Sequence, residues 1–177
     1  MTATRKHPTS RPATVSQIPL PADARALSAL SRVDYVDAFL VDSDVERTPE
    51  QWIRAVLQDA PLSVRTRLVS GWTALGLKLG SPSFPRRVLG WKVHRSDPGF
   101  VLLTADGRLG LNGELLFRSE PRGLLFATFV QHSNPAARRA WAAITPTHQR
   151  VVRSLLTHAA RHTARDRPAP DRPDAAS

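Results

Sequence analysis

The chain has 177 residues, of which 41% are apolar, so it can bury one sizeable core but is too short for two full domains. It contains no cysteine, which excludes disulfides, zinc sites with thiolate ligands and a cysteine nucleophile. The formal net charge of +10 would suit a polyanionic partner, but nearly all of the basic residues are arginines, with lysine only at Lys6, Lys78 and Lys92. Because Arg, Ala and Pro enrichment is typical of a GC-rich genome, we do not expect specific nucleic-acid binding.

Both ends of the chain have the composition of disordered tails. Residues 1–22 are rich in Pro, Thr, Ser and Arg, and residues 163–177 mix Arg, Asp and Pro. A single folded domain is therefore expected over residues 24–162. The N-terminus lacks the apolar core of a secretion signal, and no apolar run reaches the roughly 20 residues needed to cross a bilayer. We therefore expect a cytoplasmic protein without a transmembrane segment.

A strand and two short helices are predicted in the first half of this domain. Residues 33–42 alternate as a strand, and Asp37 interrupts one of its two faces, among aromatic side chains. A capping box at residues 48–51 begins a helix that ends before the next proline. A second helix is expected over residues 62–79, where apolar side chains recur every three or four residues.

From residue 88 to 132 the apolar period changes to two, which predicts an antiparallel meander. Turns are expected at residues 96–99 and 106–107, and a last strand over residues 124–132. With the first strand, the sheet is expected to have about five strands.

The segment 108–118 allows two interpretations. One long strand with a bulge at residues 112–113 is favoured, since the alternative, an Asn-Gly hairpin turn, would leave a very short strand between two turns. Glu114 then lies on the outward face as a solvated charge, unless the bulge turns it inward.

A long amphipathic helix is predicted from residue 134 to about residue 162. Ser133 or Asn134 can cap it, and Pro135 suits its first turn. Pro146 removes one hydrogen bond and is expected to kink or split this helix. The fold class is therefore α+β: a curved antiparallel sheet, two short helices after the first strand and a long C-terminal helix.

This order of elements resembles the helix-grip architecture of START-like and polyketide cyclase/dehydrase-like (SRPBCC) proteins. The chain is also similar to an uncharacterised actinobacterial family of that group, in the segments DYVDAF (34–39), TPEQW (48–52), ELLFR (114–118) and the helix 134–156. The resemblance implies a sheet that wraps the C-terminal helix and encloses an apolar cavity for lipids, sterols, polyketides or other hydrophobic molecules. With about five strands, the grip is expected to be a shortened one.

The resemblance implies a ligand site between the sheet and the C-terminal helix. No cofactor or metal is expected, because the sequence has no closely spaced His/Asp cluster of metal-binding type and no nucleotide-binding motif. The expected lining combines aromatic side chains with one carboxylate: Asp37, Phe39, Trp72, Trp91, Phe117, Phe129 and Trp141. Apolar walls with a few polar groups are typical of small-molecule sites, and large rings at these spacings are also typical of an ordinary core. The leading interpretation is non-catalytic binding of a hydrophobic small molecule.

A cyclase/dehydrase-type enzyme that uses the same cavity is one alternative. Asp37, His94 or His132 would then act as acid or base. The sequence contains no phosphate-binding loop, no HExxH motif and no nucleophile elbow, so it does not indicate another class of enzyme.

A basic interaction module is the other alternative. The last helix carries a basic run, which could be a solvated face or could bind an anionic membrane surface, nucleic acid or an acidic protein. The run consists of Arg138, Arg139, Arg150 and Arg153 with His148.

Overall fold

The computed structural model describes residues 12–44, 46–81 and 86–165, with side chains as far as residue 161. These residues contain the strands β1 (Thr14–Ile18), β2 (Tyr35–Asp42), β3 (Arg87–Val88), β4 (Trp91–Asp97), β5 (Phe100–Ala105), β6 (Leu111–Glu120) and β7 (Gly123–His132). They form one open antiparallel sheet in the order β1-β2-β7-β6-β5-β4-β3.

The helices lie between β1 and β2, between β2 and β3, and after β7. They are α1 (Ala22–Arg25), α2 (Pro49–Ile53), which continues as a π-helical turn over Arg54–Gln58, α3 (Leu62–Ala74) and α4 (Pro135–Arg165). The α+β class, the antiparallel sheet and the long C-terminal helix are thus confirmed. None of the described helices combines the length and the apolar character needed to cross a bilayer.

Local sequence signals account for the helix starts. The predicted capping box begins α2, where the Thr48 hydroxyl accepts a hydrogen bond from the Gln51 N–H and the Gln51 side chain accepts one from the Thr48 N–H. At the start of α4 the Asn134 side chain accepts a 2.8 Å hydrogen bond from the Ala137 N–H. Pro146 lies inside α4, which continues through it without a break.

The prediction of about five strands is wrong, because the sheet has seven. β1 lies within residues 1–22, which the composition assigned to a disordered tail; it is a half-exposed edge strand that pairs only with β2. Of the two predicted tails, residues 1–11 and 166–177 lie outside the described residues, and α4 extends to Arg165.

The other additional strand, β3, is separated from β4 by a two-residue turn. Val88 pairs with Trp91 across Leu89 and Gly90, which have φ angles of 45° and 88°. Positive φ at both central residues is the geometry of a tight hairpin turn, and leucine rarely adopts it. The alternation of apolar residues through position 89 therefore suggested one continuous strand.

The predicted bulge at residues 112–113 is also wrong. β6 begins at Leu111 and pairs with β7 in one register, from Leu111 opposite His132 to Glu120 opposite Gly123. The chain turns before β6 begins, so β6 itself needs no bulge. The Asn112 side chain accepts a 3.0 Å hydrogen bond from the Gly107 N–H across this turn.

Each face of the sheet has its own core. α2, α3 and α4 cover one face, here called the α4 face, and residues 18–33 cover the other, here called the N-terminal face. Because side chains alternate along a strand, odd positions of β2 and even positions of β7 point to the α4 face. Both faces are therefore buried around the central strands.

Candidate functional site

A polar cluster is buried on the α4 face where α4 crosses β2 and β7. Asp37 of β2 pairs with Thr128 of β7, so both side chains point toward the helix. α4 contributes His148, whose Nε2 lies 3.2 Å from Asp37 Oδ2 and 3.2 Å from Thr128 Oγ1. We call these residues, with Tyr35 and Gln149, the Asp37 cluster.

Tyr35 connects the cluster to the second polar residue of α4. Its hydroxyl donates a 2.7 Å hydrogen bond to Asp37 Oδ2 and accepts one of 3.1 Å from the Gln149 side chain. Burial, reinforced by the neighbouring Asp37 carboxylate, raises the pKa of the Tyr35 hydroxyl, so it remains a proton donor.

The Asp37 carboxylate has little contact with solvent. Its side chain is 1% exposed, and its Oδ1 atom has no hydrogen-bond partner among the described residues. Trp141 covers the cluster on one side, with its ring 5.3 Å from that of Tyr35 and 5.0 Å from that of His148. A carboxylate and an imidazole in contact inside an apolar layer can exchange a proton or orient a polar group of a ligand.

The cluster adjoins an apolar cavity between the sheet and α4, with a volume of about 40 Å³. His148 is the only member of the cluster that lines this cavity. The remaining lining is apolar and comes from the π-helical turn, α3, β6, β7 and α4: Val56, Leu57, Leu68, Trp72, Leu115, Phe126, Val151, Val152, Leu155 and Leu156.

The predicted site residues on the α4 face fall into three groups. Asp37 belongs to the polar cluster, and Trp72 lines the cavity. The others on the α4 face are buried in its core: Phe39, Trp91, Phe117 and Trp141. Trp72 and Trp91 stack edge to face at 5.4 Å.

Phe129 lies on the wrong side of the sheet for the predicted site. It is buried on the N-terminal face, and Phe126 lines the cavity instead. Positions 126 and 129 are an odd number of residues apart, so their side chains must point to opposite faces of β7.

His148 is the functional candidate that sequence reasoning missed, because its arginine neighbours placed it in a basic run. The helical spacing of α4 nevertheless indicates that His148 faces the core. Position 148 follows Trp141 by two helical turns and precedes Val152 by one, so it lies on the buried stripe of α4. The arginines of the run are exposed, and the Arg153 guanidinium lies 5.6 Å above the Phe39 ring.

The two other candidate acid–base histidines lie outside the cavity lining. His94 is exposed on β4. His132 is buried at the end of β7, and burial, together with the positive charges of Arg138 and Arg32, lowers its pKa against the opposing effect of Asp34. Its ring nitrogens have no hydrogen-bond partner among the described residues.

Glu114 is not the solvated charge that its register predicted. It does point away from α4, but residues 18–33 cover that face and leave the residue 1% exposed. Its carboxylate accepts hydrogen bonds from the Ser28 hydroxyl and the Ala29 N–H. Burial raises the pKa of Glu114, and these two donors only partly oppose the shift.

Comparison with protein-family models, with curated proteins and with solved structures gives no match for this chain. Within the described residues, no group of three or more His, Asp or Glu side chains could hold a metal ion. The site is therefore defined by its own geometry: a buried Asp–His–Tyr cluster beside a small apolar cavity.

Proposed function

We propose that this protein is a helix-grip protein that binds a hydrophobic small molecule between the sheet and α4. The strand order from β2 to β3 and the position of α4 across the sheet support this assignment. The observation that carries the proposal is the cavity itself, because its lining is apolar except for His148, which Asp37 holds in place. Small-molecule sites typically combine an apolar wall with one or two convergent polar groups.

The cavity volume sets a condition on this function. About 40 Å³ holds a few water molecules, whereas small-molecule sites measure roughly 300–1,000 Å³. A ligand can therefore enter only if one wall moves outward.

Helix α3 is the wall best suited to move. None of its residues is buried, and it covers the cavity with the half-buried side chains of Leu68 and Trp72. Its side-chain hydrogen bonds within the described residues connect Thr66 and Thr73 to carbonyls of the same helix. Moving α3 would therefore break apolar contacts, including that of Trp72 with Trp91, rather than side-chain hydrogen bonds to the rest of the described fold. Burial of a ligand, at about 25 cal/mol per Å², would offset the apolar area that this movement exposes.

Native mass spectrometry of the purified chain tests the proposal. We expect a bound hydrophobic mass before organic extraction, and uptake of one molecule from a lipid extract afterwards. Val152→Leu fills the cavity and should reduce uptake, whereas Val36→Leu adds the same methylene to the N-terminal face and should not. An apo mass in both states, or equal uptake by the two variants, would reject this function.

Catalysis in the same site is a second candidate, favoured by the 3.2 Å contact between Asp37 and His148. A buried acid–base pair beside a ligand could transfer a proton to or from it. If the bound molecule is a substrate, its mass or structure should change during incubation with the wild-type protein. Asp37→Asn should then retain binding but stop the conversion, and an unchanged ligand would leave binding as the function.

A further inference from the structure

A large concave surface lies outside the cavity, at the start of α4. It is a groove of about 810 Å³ between the end of α3, the turn before β6 and the first turns of α4. We call it the Leu109 groove. Its lining consists of Ala74, Leu75, residues 107–111, residues 134–137 and Ala140.

The floor of the groove is apolar and accessible. Leu109 is 61% exposed, which is unusual for so large an apolar side chain. It lies across the end of α3 because Gly76 has no side chain there; a Cβ on Gly76 would come within 2.7 Å of Leu109 Cγ. Leu75 and Ala140 extend the same apolar surface on either side.

The walls are held in place by hydrogen bonds between the turn and α4. The Asn134 side chain donates a 3.1 Å hydrogen bond to the Leu109 carbonyl, and the Ser133 N–H donates one of 2.7 Å to the Gly110 carbonyl. The turn and α4 therefore have a fixed arrangement on this side of the groove, and a ligand would not have to order the turn before it binds.

The charge at the groove has one sign. Arg108 belongs to the lining, and Arg139 follows Ala136 by three residues, which places it on the same side of α4. Among the described residues neither arginine forms an ion pair, and the lining contains no acid. The nearest acid in sequence, Asp106, is exposed and precedes the lining.

We propose that the Leu109 groove binds an anion with an apolar body, such as a medium-chain carboxylate. The apolar body would cover Leu109, Leu75 and Ala140, and the carboxylate would contact the Arg108 guanidinium, whose planar fork matches it. The groove volume is within the range of small-molecule sites, and this site needs no movement of α3. It is separate from the cavity under α3.

Titration with decanoate below its micelle concentration tests the proposal, with ¹H–¹⁵N NMR to locate the site. Shifts are expected at residues 107–111 and 136–140. Arg108→Gln should weaken decanoate binding by up to about fivefold, the upper end of the range for a solvent-accessible ion pair. Arg161→Gln removes the same charge about 35 Å further along α4 and should have no effect.

One neutral analogue, one cationic analogue and one further variant complete the test. Decan-1-ol should bind Arg108→Gln and the wild type equally, and decyltrimethylammonium should bind weakly to both. Leu109→Ser should weaken decanoate and decan-1-ol alike, and it should leave stability nearly unchanged because Leu109 is exposed.

Four results would overturn the proposal. Decyltrimethylammonium could bind as well as decanoate, or Arg161→Gln could weaken decanoate as much as Arg108→Gln. Shifts could instead fall on Val151, Val152, Leu155 and Leu156, which line the cavity under α3, and would then support the proposed function without the groove. Absence of any decanoate binding rejects the groove site and leaves the cavity proposal untouched.

Discussion

The Glu114 carboxylate accepts a 2.6 Å hydrogen bond from the Ser28 hydroxyl, which lies 86 residues earlier in the chain. The Ala29 N–H donates a second hydrogen bond, of 3.1 Å, to the same carboxylate. Because Glu114 is fully buried, this contact fixes the segment between α1 and β2 on the N-terminal face. Without this segment, Phe129 and Leu116 on that face would be exposed. A polar contact therefore holds in place the segment that completes one of the two cores.

Replacing Glu114 with Gln should change how stability depends on pH. Burial raises the pKa of Glu114 in the folded protein, so the folded state holds this proton more tightly than the unfolded state. The wild type therefore loses stability as pH rises from the ordinary glutamate pKa of 4.5 through the raised folded value. Glu114→Gln cannot ionise and should gain stability relative to the wild type over that window, measured by urea unfolding at several pH values.

Glu50→Gln provides the control with the opposite sign. Burial acts to raise the pKa of Glu50, but hydrogen bonds from the Ser96 hydroxyl, its own N–H and Thr48 together lower it. Ionised Glu50 therefore stabilises the folded wild type above the ordinary glutamate pKa, and this stabilisation is lost as the pH falls through the lowered folded value. If the stabilities of the two variants relative to the wild type changed with pH in the same direction, the assigned directions of the two pKa shifts would be wrong.

Tyr35→Phe should lower the free energy of unfolding by about 1–2 kcal/mol. The substitution keeps the ring against Trp141 but removes the donor to Asp37 Oδ2 and the acceptor for the Gln149 side chain. A buried carboxylate that loses one donor carries the cost of an incompletely satisfied polar group. Chemical denaturation measures the change, and a variant as stable as the wild type would show that the Tyr35 hydroxyl adds nothing to folding.

Gly90→Ala should destabilise the protein by about 2 kcal/mol or more. Gly90 has a φ of 88°, and a Cβ there would lie 2.8 Å from the Gly80 carbonyl oxygen, so both strain and a clash oppose alanine. Gly99→Ala is the matched control, because no atom lies within 4 Å of its Cβ position. Equal melting temperatures for the two variants would contradict the turn geometry between β3 and β4.

Periodicity in the sequence was sufficient for the elements whose burial follows one local rule. The alternation of β2 placed Asp37 among aromatic side chains of the α4 face, and the capping box located the start of α2. It was insufficient where a distant segment decides the environment. Glu114 is buried because residues 18–33 cover it, and nothing in the β6 sequence reports that contact.

Other wrong predictions arose where two local patterns in the sequence predict different structures. Leu89 continues the apolar alternation of the next strand although its backbone turns, since side-chain pattern does not report φ. His148 lies among arginines along the sequence but on the buried stripe of α4 in space. Charge runs read along the sequence therefore conflict with helical periodicity, and in α4 the periodicity determines burial.

Hydrogen exchange distinguishes a mobile α3 from a fixed one. Because α3 buries none of its residues, opening it should cost far less free energy than opening the sheet, and its amides should exchange well before those of β6 and β7. Gly71→Ala should slow this exchange up to about fivefold, since helical glycine costs roughly 0.5–1 kcal/mol relative to alanine and no atom lies within 4 Å of its Cβ position. The amides of β6 and β7 should remain slower to exchange than those of α3 in both proteins. If α3 amides are protected as strongly as those of the sheet, α3 cannot be the wall that admits a ligand, and binding under α3 would have to be abandoned.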